Sequence, residues 1–555
     1  MGVPGPTPTD GSVRLRLDRL TSAQRSLLRS RLRGAATTAI PHRDPARPIP
    51  ATAAQARLWF LQQYAPQACA YHSAYRLRLQ GPLDAGLLER GWQGVVERHE
   101  VLRGGLVMQE GLLELRIAAS LDVTLPVRDA REDEVPGLAL ALARRPFELC
   151  CPPLWRAALV RTGPQVHELL LVLHHAITDR WSLGVLLRDL DLALSALAAG
   201  GAPAWAPLPL AYGDYAAWEH EWLERPECTA QVEYWREALR GAPQVLDLPI
   251  AAARPAAQTW RGAVHRVSLP PAVAERVVQR AAEQQATPYM LLLAALAAVL
   301  ARYTGRDDFV LGSPLAQRQR PELESLAGIL LNTLPLRVRV PADTPFTAVV
   351  DDLRCRLPEA YAHAGVPFEA LVERLGVARD PSRPPLVQVV CNLHNVPPLP
   401  GRLGPVALAC HDVDLGAAKL DLTVTLRCET AGLKVACEYN ADLFAADAVE
   451  RLVGHFGTLL QAALERPDTA VAALPLLDAG ERRRVVESFN APAALPPAVP
   501  ELLEMLQEQV RSRPEAPAVA DGTTTLTYAQ LEARTRALAL RLRAQGASPG
   551  ARVAV

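Results

Sequence analysis

Lysine is almost missing from this chain of 555 residues: among 59 basic side chains only Lys419 and Lys434 are lysines. Acidic side chains also number 59, so the formal net charge is zero. A balanced chain carries no electrostatic footprint for nucleic acid or an anionic membrane, and both are set aside as partners. The lysine deficit accompanies abundant alanine and proline and fits a GC-rich genome. Cysteine is sparse and scattered: nine residues, no CxxC pair, and an adjacent Cys150–Cys151 that cannot easily pair with itself. Free thiols in a reducing cytoplasm follow. No HExxH or other ligand spacing supports a metal. Long apolar runs are missing too. The best, MLLLAALAAVLARY (290–303), is shorter than a bilayer requires and reads as a buried helix. The first twenty residues have no apolar core after a basic start, so no secretory signal is expected.

What is present is ordinary globular material, 49% hydrophobic and 21% charged, in a length that suggests two to four domains. Residues 13–33 have helical periodicity with an N-cap at Thr21 or Ser22, and PHRDPARPIPA (41–51) is a linker. Amphipathic helices then mix with alternating strands, with neither regular βαβ repetition nor a phosphate loop. The polar stretch 219–235 is a candidate joint between two lobes, and NAPAALPPAVP (490–500) is a second linker. Beyond it come a strand, a helix, a turn and the opening of another strand. This last segment reads as part of a further domain.

The stretch LVLHHAITDRWS (171–182) carries the chemistry. ELLLVL (168–173) is a buried strand by composition, and successive strand residues face opposite sides. His174 and His175 therefore do not share one ligand if the strand continues through them. WSLGVLLRDLDLAL (181–194) is helical, so the pair sits in a strand-to-helix connection, where a rigid scaffold often presents a reactive loop. An isolated pair of histidines is ordinarily packing. Here the pattern is HHxxxD followed by Trp-Ser, in which one imidazole can serve as a base and Asp179 can fix the loop through an ion pair. The same spacing occurs in coenzyme-A- and carrier-dependent acyltransferases, so the other motifs decide.

ATAAQARLWFLQQY (51–64), RHEVLR (98–103), HHAITDRWS (174–182), YGDYAAW (212–218), GILLNTLPLR (328–337), HAGVPFEALV (363–372) and RDPSRPPLVQVV (379–390) occur in that order. Together they resemble the condensation domain of non-ribosomal peptide synthetases, in its L-donor form. LTYAQL (526–531) resembles the first motif of an adenylation domain, without the ATP-binding loops. The resemblance implies an α/β (mixed α+β) fold of two chloramphenicol-acetyltransferase-like lobes in a V-shaped pseudo-dimer. It divides the chain into 1–44 (helix and linker, a docking element or a covering helix), 45–220 (N-lobe), 221–475 (C-lobe), 476–500 (linker) and 501–555 (adenylation fragment, too short to bind ATP).

The implied reaction is amide formation between a donor acyl or peptidyl thioester and an acceptor aminoacyl thioester. Both ride on phosphopantetheine arms of partner carrier proteins, the donor arriving in trans. No cofactor is bound directly, and the domain is expected to act as a cytoplasmic monomer. By the motif, His175 is the catalytic residue and His174 packs the strand end. The partner expected for Asp179 is Arg103, with Arg98 as the other choice. The resemblance places the active site in a tunnel between the lobes, and Asn332, Thr333 and Ser182 are expected near it; strand capping is an equally good account of the first two. Tyr212, Asp214 and Trp218 read as fold residues.

Arg180 is a departure, because the commonest family pattern has Gly after the Asp. Glycine permits positive φ and leaves space; arginine does neither. Either Arg180 reaches into the tunnel and gates it, or it pairs with Asp189 or another surface carboxylate. Several alternatives stay open: a starter-type domain that acylates the first amino acid with a fatty or polyketide group, a silent recruitment domain that docks a tailoring enzyme, and a stand-alone coenzyme-A acyltransferase. An epimerisation domain fits the later motifs less well. A heterocyclisation domain is excluded, since it would replace the histidines and carry Asp at both ends of the motif.

Overall fold

The structure is a computed structural model that describes residues 39–394, 397–429, 431–490, 501–548 and 550–552. The helix expected at 13–33 and all but the first residue of the 490–500 linker lie outside the described residues. Two compact units follow one another, Met1–Asp478 and Ala479–Val555.

The first unit is built on two six-stranded sheets. The N-lobe begins with helix α1 (Ala53–Tyr64), whose Thr52 cap and Gln55 exchange side-chain and backbone bonds. Strand β1 (His72–Gln80), α2 (Ala85–Arg98) and a hairpin of β2 (Gly104–Gln109) and β3 (Leu112–Ile117) follow. Then come β4 (Val127–Asp129), α3 (Val135–Arg144), β5 (Trp155–Gly163), β6 (Val166–His174) and α4 (Arg180–Ala198). Strand β6 is central, paired antiparallel to β1 and β5, and Leu169–Leu173 are buried on both faces. That burial explains why its sequence is continuously apolar rather than alternating.

Helices α5 (Tyr212–Leu223) and α6 (Pro226–Ala238) lead to the C-lobe. Its elements are β7 (Gly262–Leu269), α7 (Pro271–Glu283), α8 (Pro288–Thr304), β8 (Asp308–Ala316), β9 (Leu331–Arg339), α9 (Phe346–Ala362), α10 (Phe368–Arg374) and β10 (Val389–Leu393). After the short strands β11 (Arg402–Leu403) and β12 (Val406–Asp412) come β13 (Leu422–Glu429), β14 (Gly432–Asn440) and α11 (Ala446–Glu465). Helix α8 is the apolar run noted above. Met290–Leu300 are all buried, Thr287 caps its start, and Gly305 ends it at φ 66°. Among the described residues, no single helix is long and apolar enough to cross a membrane.

Contiguous lobes, as drawn from the sequence, need correction. Strands β11 and β12 lie within 221–475 but complete the N-lobe sheet, whose order is β11-β12-β1-β6-β5-β4. Tyr75 to Gln80 of β1 pair with Asp412 to Ala407 of β12. Without β12 the edge of β1 would leave its backbone groups unpaired. Leu323, Leu326, Ile329 and Leu330 also pack into the N-lobe core. The C-lobe sheet keeps the order β7-β14-β13-β10-β8-β9.

The second unit contains α12 (Leu502–Ser512), an antiparallel pair β15 (Pro517–Ala520) and β16 (Thr525–Thr527), and α13 (Tyr528–Ala544). The LTYAQL motif spans β16 and the start of α13, where Thr527 accepts from the Gln530 backbone. Its helices bury no residue, and Leu502 is 84% exposed.

Candidate active site

Strand β6 ends at His174, and a 3-10 turn (His175–Ile177) carries the chain to α4. This switch of geometry gives the two histidines different surroundings. His174 is buried, its ring centroid 5.9 Å from Phe147 and 5.6 Å from His72, and its Nδ1 accepts from the Ala176 backbone N–H. His175 lies on a cavity of about 350 Å³ between the lobes. Its Nδ1 is 2.6 Å from the Thr178 carbonyl. A carbonyl only accepts, so Nδ1 carries the proton and Nε2 keeps its lone pair. Burial, then the Lys419 charge, push the His175 pKa down to about 4, against the raising effects of the Thr178 bond and Asp179.

Asp179 caps α4 and is the most heavily bonded carboxylate of the site. Its oxygens accept from the Ser182 backbone N–H at 2.8 Å and the Leu330 N–H at 3.1 Å. Its partner is Arg318, bidentate at 2.7 and 3.1 Å, with both side chains nearly sealed from solvent. Burial works to raise the Asp179 pKa, but the Arg318 guanidinium and the Ser182 bonds override it and hold it below the usual carboxylate range. The expected pairing with Arg103 is therefore corrected. Arg103 donates to the carbonyls of Val96, Glu97 and Ala118, and Arg98 donates to Asp189 at 2.7 Å, which His99 also meets at 2.8 Å. The RHEVLR motif thus clasps α2 to α4, and Arg318 in the C-lobe fixes the reactive turn.

Ser182 and Asn332 are corrected as well: neither reaches the cavity wall. The Ser182 hydroxyl lies 2.7 Å from the Asp179 carboxylate and from the Gly328 carbonyl, and accepts from Arg318. Asn332 donates to the Ala364 and Val366 carbonyls and accepts from the Phe368 N–H, so it holds the turn that places Phe368 and Glu369 on the wall. Thr333 does line the cavity. Tyr212 donates to the Ile329 carbonyl at 3.2 Å, and Asp214 binds His42 and Arg43. Gly328 has φ +148°, and a Cβ there would sit 2.1 Å from the Tyr212 ring, which accounts for the glycine that opens GILLNTLPLR.

Arg180 is the first residue of α4, with no positive φ, so no glycine-only backbone is involved. Its side chain stays on the cavity wall and donates to Asp412 of β12 at 2.7 Å. Asp189, the carboxylate named as its partner, is already held by Arg98 and His99. Asp412 also meets Arg427 at 3.4 Å, and Arg427 Nε donates to His394 Nδ1 at 2.9 Å. A chain of polar contacts thus runs from Arg180 through Asp412 and Arg427 to His394, with Arg180 and His394 both on the cavity wall.

Sequence reasoning missed Arg57, Tyr71, Arg318 and Lys419. Arg57, Tyr71, Glu369 and Lys419 wall both this cavity and an adjoining, more apolar one of about 610 Å³. Arg57 pairs with Glu369 at 3.1 Å. The rarity of lysine was the available signal for Lys419; Arg318, in AQRQR, carried none. Among the described residues, one trio, the exposed Glu148, Cys150 and Cys151, brings possible metal ligands together.

Five histidines, His167 among them, are depressed by burial and imply an acid-sensitive fold. His72, His175 and His394 are pushed down to about 4 and His174 well below the ordinary 6.5. The unfolded chain binds these protons below about 6.5 and the folded chain does not, so stability falls as pH drops from about 6.5 towards 4. Glu219, raised to about 7 by burial, works in the opposite direction. Urea midpoints measured from pH 7 to pH 4 should decline through this window; a flat profile would contradict the burial of the histidines.

The fold and site define an acyl-transfer class: two lobes meeting at a cavity, with one imidazole lone pair presented at the seam. The Condensation domain family profile matches residues 46–486, and that of AMP-binding enzymes matches 506–555. The chain belongs to the condensation-domain family of non-ribosomal peptide synthetases, whose reaction is peptide-bond formation. It is 36% identical to one of the linear gramicidin synthase proteins of Brevibacillus parabrevis over 90% of its own length and 7% of that protein's. It is 35% identical to phosphinothricin tripeptide synthetase PhsC of Streptomyces viridochromogenes over 97% of its length and 51% of the relative's. The chain thus spans from 7% to about half of these relatives. Among solved structures, the X-domain from teicoplanin biosynthesis superposes with TM-score 0.74 at 29% identity, covering 79% of this chain and all of that one. The first condensation domain of the calcium-dependent antibiotic synthetase, with a substrate analogue, gives 0.68 at 23% identity, covering 78% and 100%.

Proposed function

We propose that this chain joins a carrier-bound donor thioester to a carrier-bound acceptor amine at His175. The observation that carries this reading is the His175 imidazole itself: Nδ1 locked to Thr178, Nε2 free, on a cavity between the lobes that adjoins a second chamber. Tethered groups that enter from two sides can meet there, and holding them in line supplies most of the acceleration.

A base with a pKa of about 4 does not strip a proton from a free α-ammonium, whose ordinary pKa is about 7.7–8.0. The acceptor therefore reacts as the neutral amine already present near neutral pH, and Nε2 orients it by accepting one N–H. The amine nitrogen bonds to the thioester carbon, the carbonyl becomes an alkoxide, and the nitrogen carries the surplus proton. Collapse breaks the C–S bond, and that proton passes by way of Nε2 to the departing thiolate. The products are an amide and a free thiol, with no ATP or metal in the balance. One copy of the chain supplies every group named, which fits action as a monomer, and free thiols fit a cytoplasmic setting.

The test presents panels of aminoacyl- and acyl-loaded donor carriers with aminoacyl-loaded acceptor carriers and reads carrier-bound amide by intact mass. Amide from the wild type is expected. No amide across the panels, together with capture of a tailoring enzyme, would instead favour recruitment; the X-domain from teicoplanin biosynthesis is known in complex with OxyB. Amide only from fatty or polyketide donors would make this a starter-type domain.

We further propose that the Arg180–Asp412 pair narrows one end of the cavity. Arg180→Gly should raise turnover of bulky substrates severalfold while sparing small ones. Equal rates for both classes in the variant and the wild type would end the idea.

A further inference from the structure

We propose that Lys419 is a further catalytic residue, its ammonium stabilising the alkoxide oxygen that forms when the acceptor amine adds to the donor carbonyl. The inference rests on the condensation reading above. Lys419 stands where both chambers meet, between β12 and β13, and lines each of them. Its Nζ lies 5.4 Å from the centre of the Tyr71 ring, and the Tyr71 carbonyl accepts the His175 backbone N–H at 2.8 Å, so the cation and the imidazole share one wall.

The other cations of that wall are neutralised. Arg57 pairs with Glu369, and Arg180 pairs with Asp412. Among the described residues, no carboxylate oxygen lies within 4.0 Å of Lys419 Nζ. Glu438 of β14 is the carboxylate that acts on it, and its hydrogen bond is to the Lys419 backbone N–H at 3.4 Å rather than to the ammonium. A desolvated ammonium with no carboxylate in direct contact is only partly compensated, by Glu438 behind it, and gains when negative charge arrives, as the reaction supplies at the seam. The chain also has 59 basic side chains, of which only two are lysines, and one of these stands here. A compact ammonium suits a single oxygen atom better than the planar fork of arginine.

The charges facing His175 come from several elements: Arg57 of α1 backed by Glu369 of α10, Lys419 backed by Glu438 of β14, Asp179 at the cap of α4 bound to Arg318, and His174 of β6. Lys419 is the largest of these influences in holding the imidazole neutral. The same field favours a neutral acceptor amine. In the step itself the N–C bond forms as the carbonyl π pair moves to oxygen beside Lys419. The pair returns as C–S breaks, and the nitrogen proton ends on sulfur, so Lys419 keeps all its protons throughout.

The experiment compares wild type with Lys419→Met, Lys419→Gln and Lys419→Arg, and uses Lys434→Met as the control. Two neutral variants guard against loss of the fold, which the unfolding midpoint reports. The first readout is the titration of the His175 ring by histidine NMR, which needs no substrate. Its midpoint should rise by about half a unit or more in the neutral variants and stay low in Lys419→Arg and Lys434→Met. The second is the rate of carrier-bound amide formation on the panels above. It should fall about a hundredfold in the neutral variants and recover in part in Lys419→Arg. A folded neutral variant with the wild-type midpoint and wild-type rate overturns the role of Lys419 alone. No amide from the wild type overturns the condensation reading, and this inference with it.

Discussion

Arg318→Met should cost about 3–5 kcal/mol of folding stability, measured by urea unfolding of the full chain near pH 7. The guanidinium is buried and spends its donors on both Asp179 oxygens, the Ser182 hydroxyl and the Leu326 carbonyl. Methionine fills much of the same space but leaves a carboxylate charged and unmatched inside the protein. Removing one partner of such a pair is far worse than removing both. The double variant Asp179→Asn/Arg318→Met should therefore recover a substantial part of the loss, and the coupling between the two sites is the quantity of interest. The single variant should also regain ground in mild acid, where Asp179 takes up a proton. A loss below about 1 kcal/mol would mean that the pair does not hold the reactive turn.

His175→Ala should lower amide formation by about 10²–10⁴-fold while leaving the unfolding midpoint close to wild type. The side chain faces a cavity and makes one side-chain hydrogen bond, to Thr178, so its loss disturbs little packing. The pH dependence distinguishes positioning from general-base removal of the amine proton. The wild-type rate should climb through the amine's own pKa of about 7.7–8.0 and show no separate limb near 6.5, because the imidazole is already neutral there. A limb at 6.5 that disappears in His175→Ala would show an imidazole with an ordinary pKa and contradict the burial described above.

The local grammar of the chain was readable. The apolar stretch at 290–303 is a buried helix, and ELLLVL is a central strand with both faces covered. HHxxxD marks the exit of that strand. Long-range pairing was not readable. Asp179 meets Arg318 across 139 residues and Arg180 meets Asp412 across 232. No periodicity or spacing rule connects residues so far apart, and the choice between the two arginines of RHEVLR, Arg103 and Arg98, settled on the wrong motif. Strand β12 has an ordinary alternating pattern that says nothing of which sheet it joins. Ser182 and Asn332 are expected near the tunnel through the motifs they belong to, with strand capping an equal account of Asn332. Their hydroxyl and amide suit buried backbone carbonyls, and that is where the fold uses them.

The excursion of β12 bears on how this protein can be recombined. A splice placed at the joint near residue 220 would hand one recipient a β1 edge with nothing to cover it. It would hand the other a strand with no sheet to enter. The transferable cassette is therefore the whole first unit through Asp478, both sheets together. Chimeras cut inside it should accumulate as aggregates, whereas those cut after Asp478 keep every ladder of the first unit intact.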